Sequence, residues 1–200
     1  MPRTYHSPQR RSDAANTRAN IVEAASRLFV RDGYVATSIK AIAAEAGVSV
    51  PTVHTNGPKH ALLIAAFERT FAGDEGRHSL AERPELVSIM SEPDTDTAVS
   101  RYVDFLIDAN RRSAAIVEAM LAAADSDPDV RAAYLDLEAR RHRDMTIAAE
   151  WFRQRVRIPA GDVALAADAL GMITGPGPWT HFTTTRGWDI ETYRSWLTLQ

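Results

Sequence analysis

The chain contains no cysteine. Disulfides, thiolate nucleophiles and Cys-ligated zinc or iron-sulfur sites are therefore excluded. No apolar run approaches the roughly 18 residues that a membrane-spanning helix needs, so no membrane partner is expected. The opening MPRTYHSPQRR is basic and polar with no apolar stretch behind it. Neither a secretory signal nor a lipid anchor is indicated, and a cytoplasmic protein is expected. Also missing are a G-x-S-x-G elbow, a G-x-G-x-x-G turn and a P-loop. In Gly175-Pro176-Gly177-Pro178 each proline removes an N–H that a phosphate cradle would use. Asp125-Ser126-Asp127-Pro128-Asp129 begins like a calcium loop, but its sixth position is Val130 rather than Gly and its twelfth is Asp136 rather than Glu. Glu138 and His142 lie one helical turn apart with no third ligand, which reads as a solvated pair. No enzyme chemistry, cofactor or metal is expected.

What is present is an ordinary globular composition, 45% hydrophobic and 24% charged over 200 residues. That is enough chain for one large or two small domains with a true core. The net charge of -3 averages two unlike parts. Residues 1–60 carry Arg3, Arg10, Arg11, Arg18, Arg27, Arg31, Lys40 and Lys59 against Asp13, Glu23, Asp32 and Glu45, a net of +4, which leaves -7 for the remainder. A basic leading segment on an acidic body suits a polyanion partner for the first part only.

Residues of strong strand preference never alternate over a useful length, alanine is frequent, and arginine greatly outnumbers lysine. An all-α fold is predicted. Ile21, Ala25, Leu28 and Phe29 fall at helical spacing between Asn16 and Arg31, with Gly33 as the stop. Thr37 or Ser38 caps a second helix with Ile39, Ile42, Ala43 and Ala46 inward, ending at Gly47. Ser49 caps a third, with Pro51 in its first turn and Val53 inward. A fourth starts near Pro58. Beyond it, helices are predicted at 84–91, 95–110, 113–124, 128–157 and 161–174, ended by Gly175-Pro176-Gly177-Pro178, with a final helix capped by Asp189.

A longer helix followed by two short ones across a glycine turn is the plan of a helix-turn-helix unit, although any small three-helix domain shares such apolar faces. Lys59 in the first turn of helix four opposes the macrodipole, which is more easily explained if an anion docks there. Ser38, Ser49 and Thr52 offer hydroxyls near helix starts, suited to a phosphate or simply to capping.

These residues carry a family resemblance. TRANIVEAASRLFVRDGYVATSIKAIAAEAGVSVPTVHTNGPKHALL is similar to the DNA-binding domain of tetracycline-repressor (TetR) type regulators, through Ile21, Ala24-Ala25, Leu28-Phe29, Gly33-Tyr34, Thr37, Ile42-Ala43, Ala46-Gly47-Val48-Ser49, Thr52 and Lys59. The tail RGWDIETYRSWL resembles the last helix of some members. The resemblance implies a homodimer on a near-palindromic double-stranded DNA operator, with Ser49 to Thr55 entering the major groove. It implies backbone contacts from Ser38, Thr52 and Lys59, and base-side positions for Lys40, Val50, Pro51 and Thr55, with Thr37 capping helix two. Val50 and Pro51 read shape or thymine methyls, or act as spacers, which leaves directional readout to Lys40 and Thr55.

The chain departs from the family where His54-Thr55-Asn56-Gly57 replaces an aromatic-rich link. The resemblance puts His54 at the place of a phosphate-contacting tyrosine; the alternative is a filler pointing away from the duplex.

The expected organisation is a basic flexible arm at 1–15, a helix-turn-helix domain at 16–60 and a helical effector-binding and dimerisation domain at 61–200. In the last, the resemblance implies a four-helix interface built from 128–157 and 161–174. Tyr102, Phe105, Met120, Tyr134, Met145, Trp151 and Phe182 are large side chains suited either to lining an apolar pocket or to plain core. The function implied is a ligand-responsive transcriptional repressor released by a small-molecule effector. The alternative is an all-helical ligand-binding protein whose operator binding has been weakened or lost through the changes at 54–57.

Overall fold

The computed structural model describes residues 8–73, 79–155 and 162–200. Among these residues the regular elements are helical. Helix α1 (Pro8–Asp32) begins well before Asn16, so residues 8–15 are helix rather than flexible arm. Nothing from Gln9 to Ala15 breaks a helix, and Pro8 occupies the first position, where its missing N–H is harmless. Residues 1–7 of the expected arm lie outside the described residues. Gly33, at φ 82°, closes α1 by donating its N–H to the Phe29 carbonyl at 3.1 Å.

Helices α2 (Ile39–Glu45), α3 (Val50–Thr55) and α4 (Lys59–Ala72) follow. Their inward residues Ile42, Val53, Leu62 and Leu63 pack with Ile21 and Phe29 of α1 in one cluster. After α5 (Pro84–Met90) come two long helices, α6 (Thr95–Ala124) and α7 (Pro128–Arg155). At 30 residues α6 is about 45 Å long. Its Met120 and Ala123 complete the amino-terminal cluster, whereas its Tyr102 and Leu106 belong to a second cluster with Leu86, Trp179 and Tyr193. One rigid element therefore runs through both cores.

The break expected between 110 and 113 is absent. Arg112 sits inside the continuous helix and donates to the carbonyls of Thr70 and Phe71, both at 3.3 Å, satisfying the end of α4. Ser113 returns its hydroxyl to the Ala109 carbonyl at 2.7 Å. Both polar signals are absorbed without interrupting the helix.

Helix α7 is started by Asp127, whose Oδ1 accepts from the N–H groups of Asp129 and Val130. The segment that begins like a calcium loop is thus a helix start. Helix α8 (Val163–Ile173) packs on α7 through Ala167 against Met145 and Ala149. Residues 156–157 and 161, assigned to these two helices from sequence, lie outside the described residues. Gly175-Pro176-Gly177-Pro178 does not leave the helical register for long. Gly175 is extended, then α9 (Pro176–Trp179) resumes and passes into a π-helical stretch, Thr180–Thr185. Prolines in a first turn cost little. Asp189 caps α10 (Ile190–Thr198) by accepting the Thr192 N–H at 2.8 Å.

A candidate nucleic-acid interface and a ligand cavity

The turn between α2 and α3 depends on Gly47 at φ 68°, a conformation that side-chain-bearing residues rarely adopt. Val48 then donates back to the Ala43 carbonyl at 3.0 Å, which fixes the angle between the helices. Ser38 is the cap of α2, its Oγ accepting the Ala41 N–H at 3.1 Å. Thr37 is instead buried, 2% exposed, and its hydroxyl donates to the carbonyls of Gly33 and Leu28. It fastens α2 to the end of α1 and is withdrawn from the set of DNA contacts.

Ser49 caps α3 by accepting the Thr52 N–H, and the Ser49 and Thr52 hydroxyls lie 2.7 Å apart. Pro51, His54 and Thr55 are exposed together on the outer side of α3, and Ser38 and Lys40 are exposed on α2. Val50 is only partly open and packs in part against the amino-terminal core, which leaves part of its side chain for the base-facing place expected of it. The Thr55 hydroxyl donates to the Pro51 carbonyl at 2.9 Å, which leaves its oxygen as an acceptor toward solvent. The glycine-containing link after α3 is held by side chains. Arg18 donates to the Asn56 carbonyl at 2.6 Å, and Asn56 Nδ2 donates to the Thr52 carbonyl at 2.8 Å.

The basic excess is smaller in effect than its count. Arg27 pairs with Glu23 and Glu45, and Arg31 pairs with Asp32. Lys40 is exposed and has no ion-pair partner among the described residues. Lys59 opens α4 with its ammonium 4.1 Å from the centre of the Tyr34 ring. Burial against that ring pulls its pKa down from the ordinary lysine value. The Tyr34 hydroxyl in turn donates to Asp127 Oδ2 at 2.9 Å, joining the helix-turn-helix unit to the turn between α6 and α7. Sequence reading missed this connection because its partners are far apart in the chain.

In the second region a cavity opens between α4, α5, α6 and α7. It offers about 120 Å³ to the centres of water-sized molecules, roughly ten times what a single water needs. Tyr102, Phe105, Tyr134, Met145 and Trp151 line it as expected. Met120 and Phe182 do not. Met120 is fully buried in the amino-terminal cluster, and Phe182 stacks on Trp188 with ring centres 4.2 Å apart. Sequence reading also missed Phe67, Glu68 and Phe71, which bring α4 into the wall.

Four charged groups in the wall pair within it. Glu68 meets Arg140 at 3.1 Å, both side chains largely buried, and Glu138 lies 3.7 Å from Arg141. Asp144 accepts from the Ser79 hydroxyl at 2.5 Å and from the Leu80 N–H at 3.3 Å. The Glu138 and His142 pair separates accordingly, since His142 faces Asp168 at 3.4 Å. No grouping of three metal-ligating side chains occurs among the described residues, and no described helix is long and apolar enough to cross a membrane.

Residues 21–56, spanning the helix-turn-helix unit, match the family of bacterial regulatory proteins, tetR family. No curated protein matches the chain as a whole. Two solved structures are similar in fold. One is a candidate transcriptional regulator from Saccharomonospora viridis in complex with choline, 22% identical, with a TM-score of 0.67 over 92% of this chain and 94% of that one. The other is a candidate transcriptional regulator from Pseudomonas aeruginosa PAO1, 17% identical, with a TM-score of 0.71 over 98% of this chain and 90% of that one. Residues 21–56 are thus similar to the tetR family of bacterial regulatory proteins, and the chain shares its all-helical fold with these two structures.

Proposed function

We propose that the protein is a cytoplasmic, ligand-responsive transcriptional repressor, not an enzyme, which binds a near-palindromic operator as a homodimer and is released by a small-molecule effector. One observation carries this reading above the others. Helix α4 begins at Lys59 just after α3 and, within about four turns, contributes Phe67, Glu68 and Phe71 to the cavity wall. A ligand that prefers one position of α4 therefore changes how the helix-turn-helix unit is held, and differential affinity for two states is what an effector requires. The choline bound by the Saccharomonospora viridis protein supports a small-molecule role for this kind of body.

Leu135 on α7 and Leu165 and Met172 on α8 are well exposed and apolar, which supports pairing of these two helices with a second copy. The expected contacts to DNA are the exposed Ser38, Lys40, Ser49, Pro51, His54 and Thr55, with Thr52 and Lys59 at the edge. Fluorescence anisotropy against the promoter fragments flanking the gene tests the reading. Lys40→Ala and Thr55→Ala are expected to alter sequence preference, whereas Lys59→Ala weakens binding to all fragments and reduces the salt slope by about 1. A protein that binds no fragment more tightly than random DNA would instead be a ligand-binding module. Light scattering that finds only single chains would remove the dimer.

A further inference from the structure

The chemistry of the cavity narrows the class of effector. An ionised ligand gains most where a wall presents an opposite charge with no partner of its own. Six charged side chains border this cavity, Glu68, Glu138 and Asp144 against Arg83, Arg140 and Arg141, so their formal charges cancel. Glu68 and Arg140 hold each other at 3.1 Å. Arg141 stands by Glu138 and also donates to the Gly171 carbonyl. Asp144 accepts two hydrogen bonds from Ser79 and Leu80, and Arg83 is engaged as well. A cation or an anion entering this space would have to compete with partnerships already made, ion pairs for Glu68 and Glu138 and two hydrogen bonds from neutral donors for Asp144.

The hydroxyl groups sort differently. Ser113 and Thr174 commit their protons to their own helices, to Ala109 at 2.7 Å and Leu170 at 2.6 Å. Asn110 donates to the Thr174 carbonyl at 2.9 Å. Tyr102 is 6% exposed and lines the cavity, and its hydroxyl has no hydrogen-bond partner among the described residues. Burial pushes this phenol up to about 12, so it remains a proton donor throughout the neutral range. The Trp151 ring stands 6.1 Å from its ring, Phe67 and Phe105 belong to the same wall, and the charges of Arg141 and Asp144 reach the phenol.

Building on the effector reading above, we propose that the ligand is an uncharged, mainly apolar molecule with one hydrogen-bond-accepting oxygen, which the Tyr102 hydroxyl receives. In this respect the cavity departs from a site for a quaternary ammonium, because each carboxylate beside the aromatic faces already holds a partner, Asp144 through two hydrogen bonds.

Isothermal titration with compounds of matched size tests the class. The probes are 4-phenylbutan-2-one, 3-phenylpropanoate, benzyltrimethylammonium and, without an oxygen, butylbenzene. The ketone is expected to bind at least tenfold more tightly than either ion. Tyr102→Phe should weaken the ketone roughly tenfold, the worth of one neutral hydrogen bond, while leaving butylbenzene within twofold. Thermal unfolding of the variant checks that it remains folded. Tighter binding of either ion, no binding of any probe, or equal loss for ketone and hydrocarbon in Tyr102→Phe would each overturn the proposal. If the ketone binds as expected but leaves promoter-fragment affinity unchanged, the ligand class stands and the coupling to DNA fails.

Discussion

Phe29 and Phe105 lie on long helices, in α1 and α6, and belong to different clusters. Phe29 is 0% exposed and touches the Tyr34 ring at a centroid distance of 5.4 Å, with apolar side chains of the amino-terminal cluster around it. Phe105, 9% exposed, borders the cavity. The first region is thus filled with apolar side chains and its short helices are closed by Ser38 and Ser49, while the second keeps open space and puts ion pairs around it. A unit that must present a fixed surface to a duplex gains from being packed solid. A unit that must admit a ligand cannot be packed in that way.

The largest expected effect separates the two regions directly. Phe29→Ala should cost roughly 3–5 kcal/mol, because a filled core loses both transfer energy and the contacts of the ring. Phe105→Ala should cost at least about 1 kcal/mol less, since a ring face that borders open space has fewer contacts to lose. Urea denaturation of the two variants measures the difference through their midpoints. Equal losses would indicate that the cavity closes in solution.

A smaller effect concerns the ion pair between α4 and α7. Removing one partner leaves the other charge largely buried, so Glu68→Gln should destabilise by about 2 kcal/mol. The double variant Glu68→Gln with Arg140→Met should recover most of that loss. If the double variant is as unstable as the single one, the pair contributes through geometry that neutral side chains do not reproduce.

The two regions also differed in how far the sequence revealed them. Around the helix-turn-helix unit the signals are local: Ser38 and Ser49 cap helices three residues ahead of the N–H groups they accept, and Gly33 and Gly47 take left-handed conformations at the turns. Such signals are visible in a short window. Thr37 was misplaced there because a hydroxyl before a helix reads the same whether it caps or turns inward. In the body the deciding contacts span the chain, as between Glu68 and Arg140 or Ser79 and Asp144. Met120 and Phe182 had the same character in sequence as Tyr102 and Trp151. Met120 lies on the same face of α6 as Tyr102, and its place farther along the helix puts it in the amino-terminal core rather than the wall. The helix runs on through the break expected between 110 and 113, where Arg112 serves carbonyls that belong to α4.

The smallest effect tests the bond that ties the two regions together. Tyr34→Phe keeps the ring beneath Lys59 and the contact with Phe29 but removes the hydroxyl that Asp127 accepts. Near neutral pH the loss should be about 1 kcal/mol, modest for a charged acceptor because Asp127 is partly solvated. The Tyr34 hydrogen bond is the leading reason that the Asp127 carboxyl titrates below its ordinary value of 3.8. A carboxyl whose folded pKa is depressed contributes stability that is complete above its unfolded pKa, about 3.9. That contribution is lost as pH falls through the lower folded value. The gap in stability between wild type and Tyr34→Phe should accordingly be constant from pH 7 down to about 4 and shrink below it, as protonation of Asp127 removes the charge that strengthened the bond. Urea midpoints for both proteins between pH 7 and 2 measure it. A gap that stays the same to pH 2 would mean that Asp127 accepts the hydroxyl equally well when neutral, and that the tie between the two regions does not depend on its charge.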